Sequence, residues 1–176
     1  SDTEYSARYS QISYYFDKII FYSAVAATIL SFGIAIFANN PFALWIENAL
    51  IGRTLSLIAS LYAAILFFYV FFPNISPKMV LRIGLVLVVF NLAIHLIFPS
   101  YPSIDERGLI HFAPSLSHVV YYIFWASGFL LTGLIFIKEA IAKLYLRKKT
   151  GLIAISLLII IFANALIMIS DRPQFY

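Results

Sequence analysis

Five long apolar runs, separated by connections mostly too short to fold alone, leave this chain few architectures. The runs fall at about 18–38, 53–72, 79–98, 117–137 and 152–170. Each approaches the roughly 20 residues that a helix needs to cross the hydrocarbon of a bilayer. Composition agrees: of 176 residues, 62% are hydrophobic and 11% charged, with a mean hydropathy of +0.93. A water-soluble domain carries about 25% charged residues, so this chain lacks the polar surface to cover a globule. The predicted fold is an all-α integral membrane domain of five transmembrane helices in an antiparallel bundle. The whole chain, 1–176, is expected to form this single domain, with its first run retained as a span rather than cleaved.

The connections have turn chemistry. Asn39-Asn40-Pro41 ends the first run, Pro73-Asn74-Ile75-Ser76-Pro77 the second, and Thr150-Gly151 precedes the fifth. Residues 1–17 and Phe42–Gly52 read as interfacial pieces, because their tyrosines, Trp45 and Glu47 suit the headgroup region. Small residues recur every fourth position in the first run (Ser23, Ala27, Ser31, Ala35) and around the second (Gly52, Ser56, Ser60, Ala64). Such stripes let helices approach closely, so the first two spans are predicted to pair antiparallel through them.

Charge sets the expected orientation. Nine of the twelve basic residues lie at the N-terminus or in the second and fourth connections, against Arg53, Arg107 and Arg172 on the other side. The positive-inside rule then puts the N-terminus in the cytoplasm and the C-terminus outside, in a plasma or inner membrane. The net charge of +4 is thereby explained by topology and contact with membrane lipids, not by nucleic acid. The chain has no cysteine, which excludes disulfides, thiolate metal sites and iron–sulfur clusters.

The polar exceptions gather between Asn91 and His118, a stretch that holds all three histidines. His95 and His118 belong to consecutive antiparallel spans at similar depth, near the outer surface. They are candidate axial ligands of a haem b, which needs imidazoles from facing helices. Tyr121, Tyr122 and Trp125 follow on the same span and would line a haem rim or a quinone pocket. A second possibility is a metal site from His95, His111, His118, Asp105 and Glu106, which would serve a stand-alone membrane enzyme. Asn91 and Asn164 lie close to mid-membrane and would act as interhelical hydrogen-bonding residues.

No phosphate loop, His-Glu-x-x-His or Gly-x-Ser-x-Gly pattern is present. With little mass outside the membrane, the chain reads as an accessory subunit of a larger membrane complex rather than an enzyme in itself. An electron-transfer complex with a haem or quinol site near the outer face is the leading expectation. A subunit of a membrane transport complex is the alternative.

Overall fold

In the computed structural model, residues 2–37, 39–104, 110–112, 115–142 and 147–170 are described, with side chains described over 6–37, 39–102, 115–142 and 148–162. The order of elements is α1 (Asp2–Phe37), α2 (Pro41–Trp45), a π-helical segment (Ile46–Gly52), α3 (Arg53–Phe71), α4 (Pro77–Ile97), β1 (Pro102–Ile104), β2 (Ile110–Phe112), α5 (Leu116–Ala142) and α6 (Arg147–Ser170). Among the described residues, four helical stretches are long and apolar enough to cross a membrane: Ser6–Phe37, Pro41–Phe71, Pro77–Ile97 and Leu116–Ala142. The protein is thus helical and of membrane character, as its apolar runs require.

Two boundaries differ from expectation. Residues 2–17 do not form a separate interfacial piece but continue directly into α1. Phe42–Gly52 is likewise no separate piece, since α2, the π segment and α3 run on as one helix from Pro41 to Phe71. Its start is well specified. Pro41 occupies the first turn, where its missing N–H is no loss, and the Asn40 side chain accepts from the Ala43 N–H at 3.1 Å. The connection after α4 holds a feature not foreseen, a two-stranded antiparallel hairpin pairing Pro102 with Phe112 and Ser103 with His111.

α3 is the central helix, packing on α1, α4 and α5 and carrying much of the buried core, including Leu57, Leu61, Ala63, Ile65 and Leu66. α1 and α3 do pair antiparallel. Tyr15 meets Tyr69 at one end and Tyr22 stacks on Tyr62, with centroids 6.0 and 5.7 Å apart, while Leu30 lies against Gly52 towards the other end. The face used on α1 is not the anticipated one. Ala26 and Gly33 are buried, whereas Ala27, Ser31 and Ala35 are exposed. The stripe on α3 is used, but it serves two partners. Gly52 takes Leu30 of α1, and Ser60 takes Gly128 of α5, where an added Cβ would lie 2.6 Å from the Ser60 Cα.

These contacts sort the polar groups to two ends of the bundle. Arg8 and Lys138 border one cavity at the end where α1 begins and α5 finishes. His95, His118 and the α2–π segment lie at the opposite end, beside the hairpin, where Trp45 meets Tyr101 at 5.4 Å.

Candidate functional site

At the hairpin end, three helices converge on one guanidinium. Arg53 opens α3, is 6% exposed and contacts Asn48 of the π segment, His95 of α4 and His118 of α5. Its Nε–H donates to Asn48 Oδ1 at 3.2 Å, its Nη1 to His95 Nε2 at 3.3 Å, and its Nη2 to His118 Nε2. The guanidinium also lies 5.3 Å from the Tyr121 ring centroid, a cation–π distance.

Elementary donor–acceptor accounting assigns the tautomers. Arginine only donates, so both Nε2 atoms are acceptors and both imidazoles carry their proton on Nδ1. His95 Nδ1–H donates to the Asn91 carbonyl at 3.0 Å, one helical turn back. His118 Nδ1–H donates at 3.0 Å to Ser115 Oγ, which pairs at 2.7 Å with Ser117 Oγ. Ser115 is also where α5 starts, its carbonyl accepting from the His118 and Val119 N–H groups. The helix start and the histidine orientation therefore depend on the same residue. The result is a cation held by two neutral imidazoles and an amide.

The structure brings His95 and His118 together, with ring centroids 6.5 Å apart and planes inclined by 32°. Both Nε2 lone pairs are directed to Arg53, however, so in this arrangement neither is a metal ligand. An iron bound to both would require the guanidinium to withdraw. Among the described residues, no three His, Cys, Asp or Glu side chains converge as a metal site. The side chains of His111, Asp105 and Glu106 lie outside the described residues, as does that of Asn164. Asn91 is buried, but it contributes its backbone carbonyl, and its side-chain Nδ2 has no partner among the described residues. Among the described residues its Nδ2 therefore makes no interhelical hydrogen bond.

Tyr121, Tyr122 and Trp125 share one cavity of about 380 Å³ between α1, α3 and α5, together with Ser23, Leu30 and Ser56. Tyr121 and Ser56 both line this cavity, and the Ser56 hydroxyl donates to the Gly52 carbonyl at 3.2 Å. The Tyr122 hydroxyl donates to the Ile161 carbonyl of α6 at 2.5 Å, and Trp125 packs on Tyr122 and Phe129. The cavity is thus apolar and aromatic, with a few hydroxyls and Arg53 behind the Tyr121 ring. Such a mixture is usual for small-molecule sites.

Sequence reasoning missed Arg53, Asn48 and Glu47. Arg53 stands at the apparent start of an apolar run and reads as an outer-side charge that sets topology, whereas its helix extends a further twelve residues towards the N-terminus. The available signal was the pair Glu47 and Arg53 within an otherwise apolar stretch that begins at a helix-starting Asn-Pro. Glu47 is 8% exposed, and both its carboxyl oxygens lack a hydrogen-bond partner among the described residues.

Comparison with protein-family models, with curated proteins and with solved structures yields no match to this chain.

Proposed function

We propose that this protein is a five-span subunit of a larger membrane assembly of the electron-transfer type, in which the aromatic cavity beside Arg53 holds the head of a quinol or quinone. The fifth span is α6, and the N-terminus is cytoplasmic. This orientation gains support from the burial of Arg53, which leaves Arg107 and Arg172 as the basic residues assigned to the outer side. The observation that carries the reading is the shared cavity of Tyr121, Tyr122 and Trp125. It offers aromatic faces for a planar ring, and the Ser56 and Tyr122 hydroxyl oxygens, whose protons go to backbone carbonyls, can accept from the O–H groups of a quinol. Arg53, held in place by His95 and His118, supplies a fixed positive charge behind Tyr121 that favours the electron-rich reduced head. Many apolar side chains of α4 are exposed, among them Ile83, Val86, Val89 and Phe90, which suits contact with lipid or with larger subunits.

The test uses Trp125 as a reporter, since only two tryptophans are present. In a Trp45→Phe background, a short-chain benzoquinone is expected to quench Trp125 fluorescence saturably, and Tyr121→Leu is expected to weaken it at least tenfold. Quenching that stays linear with concentration and unchanged by Tyr121→Leu sinks the quinone reading. An absorption spectrum of the same protein, oxidised and reduced, checks the haem alternative. A reduced α-band lost in His95→Ala would replace quinone with haem b. The absence of cysteine makes orientation equally accessible: a single cysteine at Ser76 is expected to be labelled from the cytoplasmic side only.

A further inference from the structure

The buried carboxyl of Glu47 is not used by the Arg53 cluster or by the cavity. It lies on the π-helical segment, more than nine-tenths buried, and neither oxygen meets a donor among the described residues. Its place is made by a glycine. A Cβ at Gly33 of α1 would fall 1.9 Å from both the Glu47 Cδ and Oε2 atoms, so only a glycine lets the carboxyl lie flat against α1. Ionisable groups inside membrane helices are rare because of their desolvation cost and commonly mark ion or proton paths. π segments within α-helices are also frequent at functional sites.

We propose that Glu47 is a proton-binding site: its carboxylate takes one proton from water and is held as the neutral acid against Gly33. The proton, rather than a metal cation, is the ligand that the surroundings fit. A cation would need several further oxygen ligands. The nearest side-chain candidate in sequence, Asn48 Oδ1, already accepts from Arg53. On the α1 side the neighbour is Gly33, and α1 carries no titratable residue from Ser23 to Phe37. α2, Pro41–Trp45, contributes none either. From α3 and α4 the titratable groups at this end are Arg53 and His95, which bond to each other. No second carboxylate is present on these elements at this end to share the proton.

Dicyclohexylcarbodiimide tests this directly, because it adds to protonated carboxyls in apolar surroundings and leaves a stable N-acylurea. The full chain in mild detergent, treated near neutral pH and analysed by mass spectrometry, is expected to carry one adduct at Glu47. Glu47→Gln, which preserves size, should abolish the adduct and also remove a carboxylic-acid carbonyl band from the infrared spectrum. Gly33→Ala, which expels the carboxyl from its place, should reduce labelling several-fold while leaving the helix content intact. Absence of the adduct together with absence of the acid band overturns the proposal. Protection of Glu47 by sodium or potassium would overturn it in favour of a cation site. Failure of quinone binding has no bearing on either readout, so the two readings stand or fall separately.

Discussion

Two ionisable residues six positions apart on one continuous helix have opposite surroundings. Arg53 makes described hydrogen bonds to Asn48, His95 and His118 and lies over Tyr121. Glu47 has no described partner for either oxygen. Both are buried, so burial is not what distinguishes them. What differs is whether neighbouring helices supply partners. Around Arg53, α4 and α5 each supply an imidazole oriented by a second hydrogen bond. Around Glu47, α1 supplies a glycine and no donor among the described residues. A buried cation so surrounded ties helices together, whereas a buried acid without partners is stable there only when neutral. The first therefore fixes geometry, and the second is free to change state.

Substitutions can break this contrast, and the largest effect belongs to Arg53. Arg53→Ala leaves Asn48 Oδ1 and both Nε2 atoms without their donor. At about 1–3 kcal/mol for each of three stranded buried acceptors, a loss of at least about 3 kcal/mol is expected, read as a lower midpoint of thermal unfolding in detergent. Arg53→Lys should recover only part of this, because an ammonium lacks the planar fork that reaches both histidines. A wild-type midpoint in Arg53→Ala would remove the structural half of the comparison.

Next in size is His118→Ala, which deletes one arm of the cluster and releases Ser115 at the start of α5. The expected cost is about 1–3 kcal/mol, and hydrogen exchange should rise in the first turns of α5 more than in α4. His95→Ala should give the reverse pattern. Equal exchange changes in both helices would show that the cluster responds as a block rather than as separate arms.

Gly33→Ala is expected to cost about 1–3 kcal/mol through overpacking against the Glu47 carboxyl, and Glu47→Gln in the same chain should not relieve it, since the amide is as large. Glu47→Ala should relieve it, and thermal midpoints of the double variants measure this. The smallest change is that of Glu47→Gln alone, about 1 kcal/mol or less, because one neutral group replaces another. A Glu47→Gln loss as large as that of Arg53→Ala would mean that Glu47 is charged and paired, and the contrast would disappear.

Much of this arrangement is legible in the sequence, for identifiable reasons. Apolar runs near 20 residues identify the long helices because lipid removes almost every other solution for the backbone. The meeting of His95 and His118 follows from chain reversal: two antiparallel helices joined at one end bring residues near that end to the same depth. What was not legible depends on partners in other helices. Trp45, Glu47 and Asn48 together imitate an interfacial segment, and only packing against α1 and the hairpin shows them to be inside a helix. Likewise, a four-residue stripe of small residues on α1 marks a face on which close approach is possible. The structure buries Ala26 and Gly33 instead, Gly33 because the Glu47 carboxyl lies against it. The side chains of His111, Asp105 and Glu106 fall outside the described residues, so the expected metal set receives no geometry.

The π-helical segment has a consequence for how this end of the molecule tolerates change in length. A π turn holds more residues than an α turn, so it shifts the angular phase of everything before it relative to everything after. Deleting one residue within Ile46–Gly52 would let the segment rewind as ordinary α-helix. The lost residue and the tighter α turn offset one another, so the Trp45 ring would stay near Tyr101 and Arg53 among its histidines, whereas one residue more, wound as ordinary α-helix, would rotate Trp45 by about 100°. The segment therefore takes up a residue of length between hairpin and bundle, and a deletion there is expected to disturb the Trp45–Tyr101 contact less than an insertion.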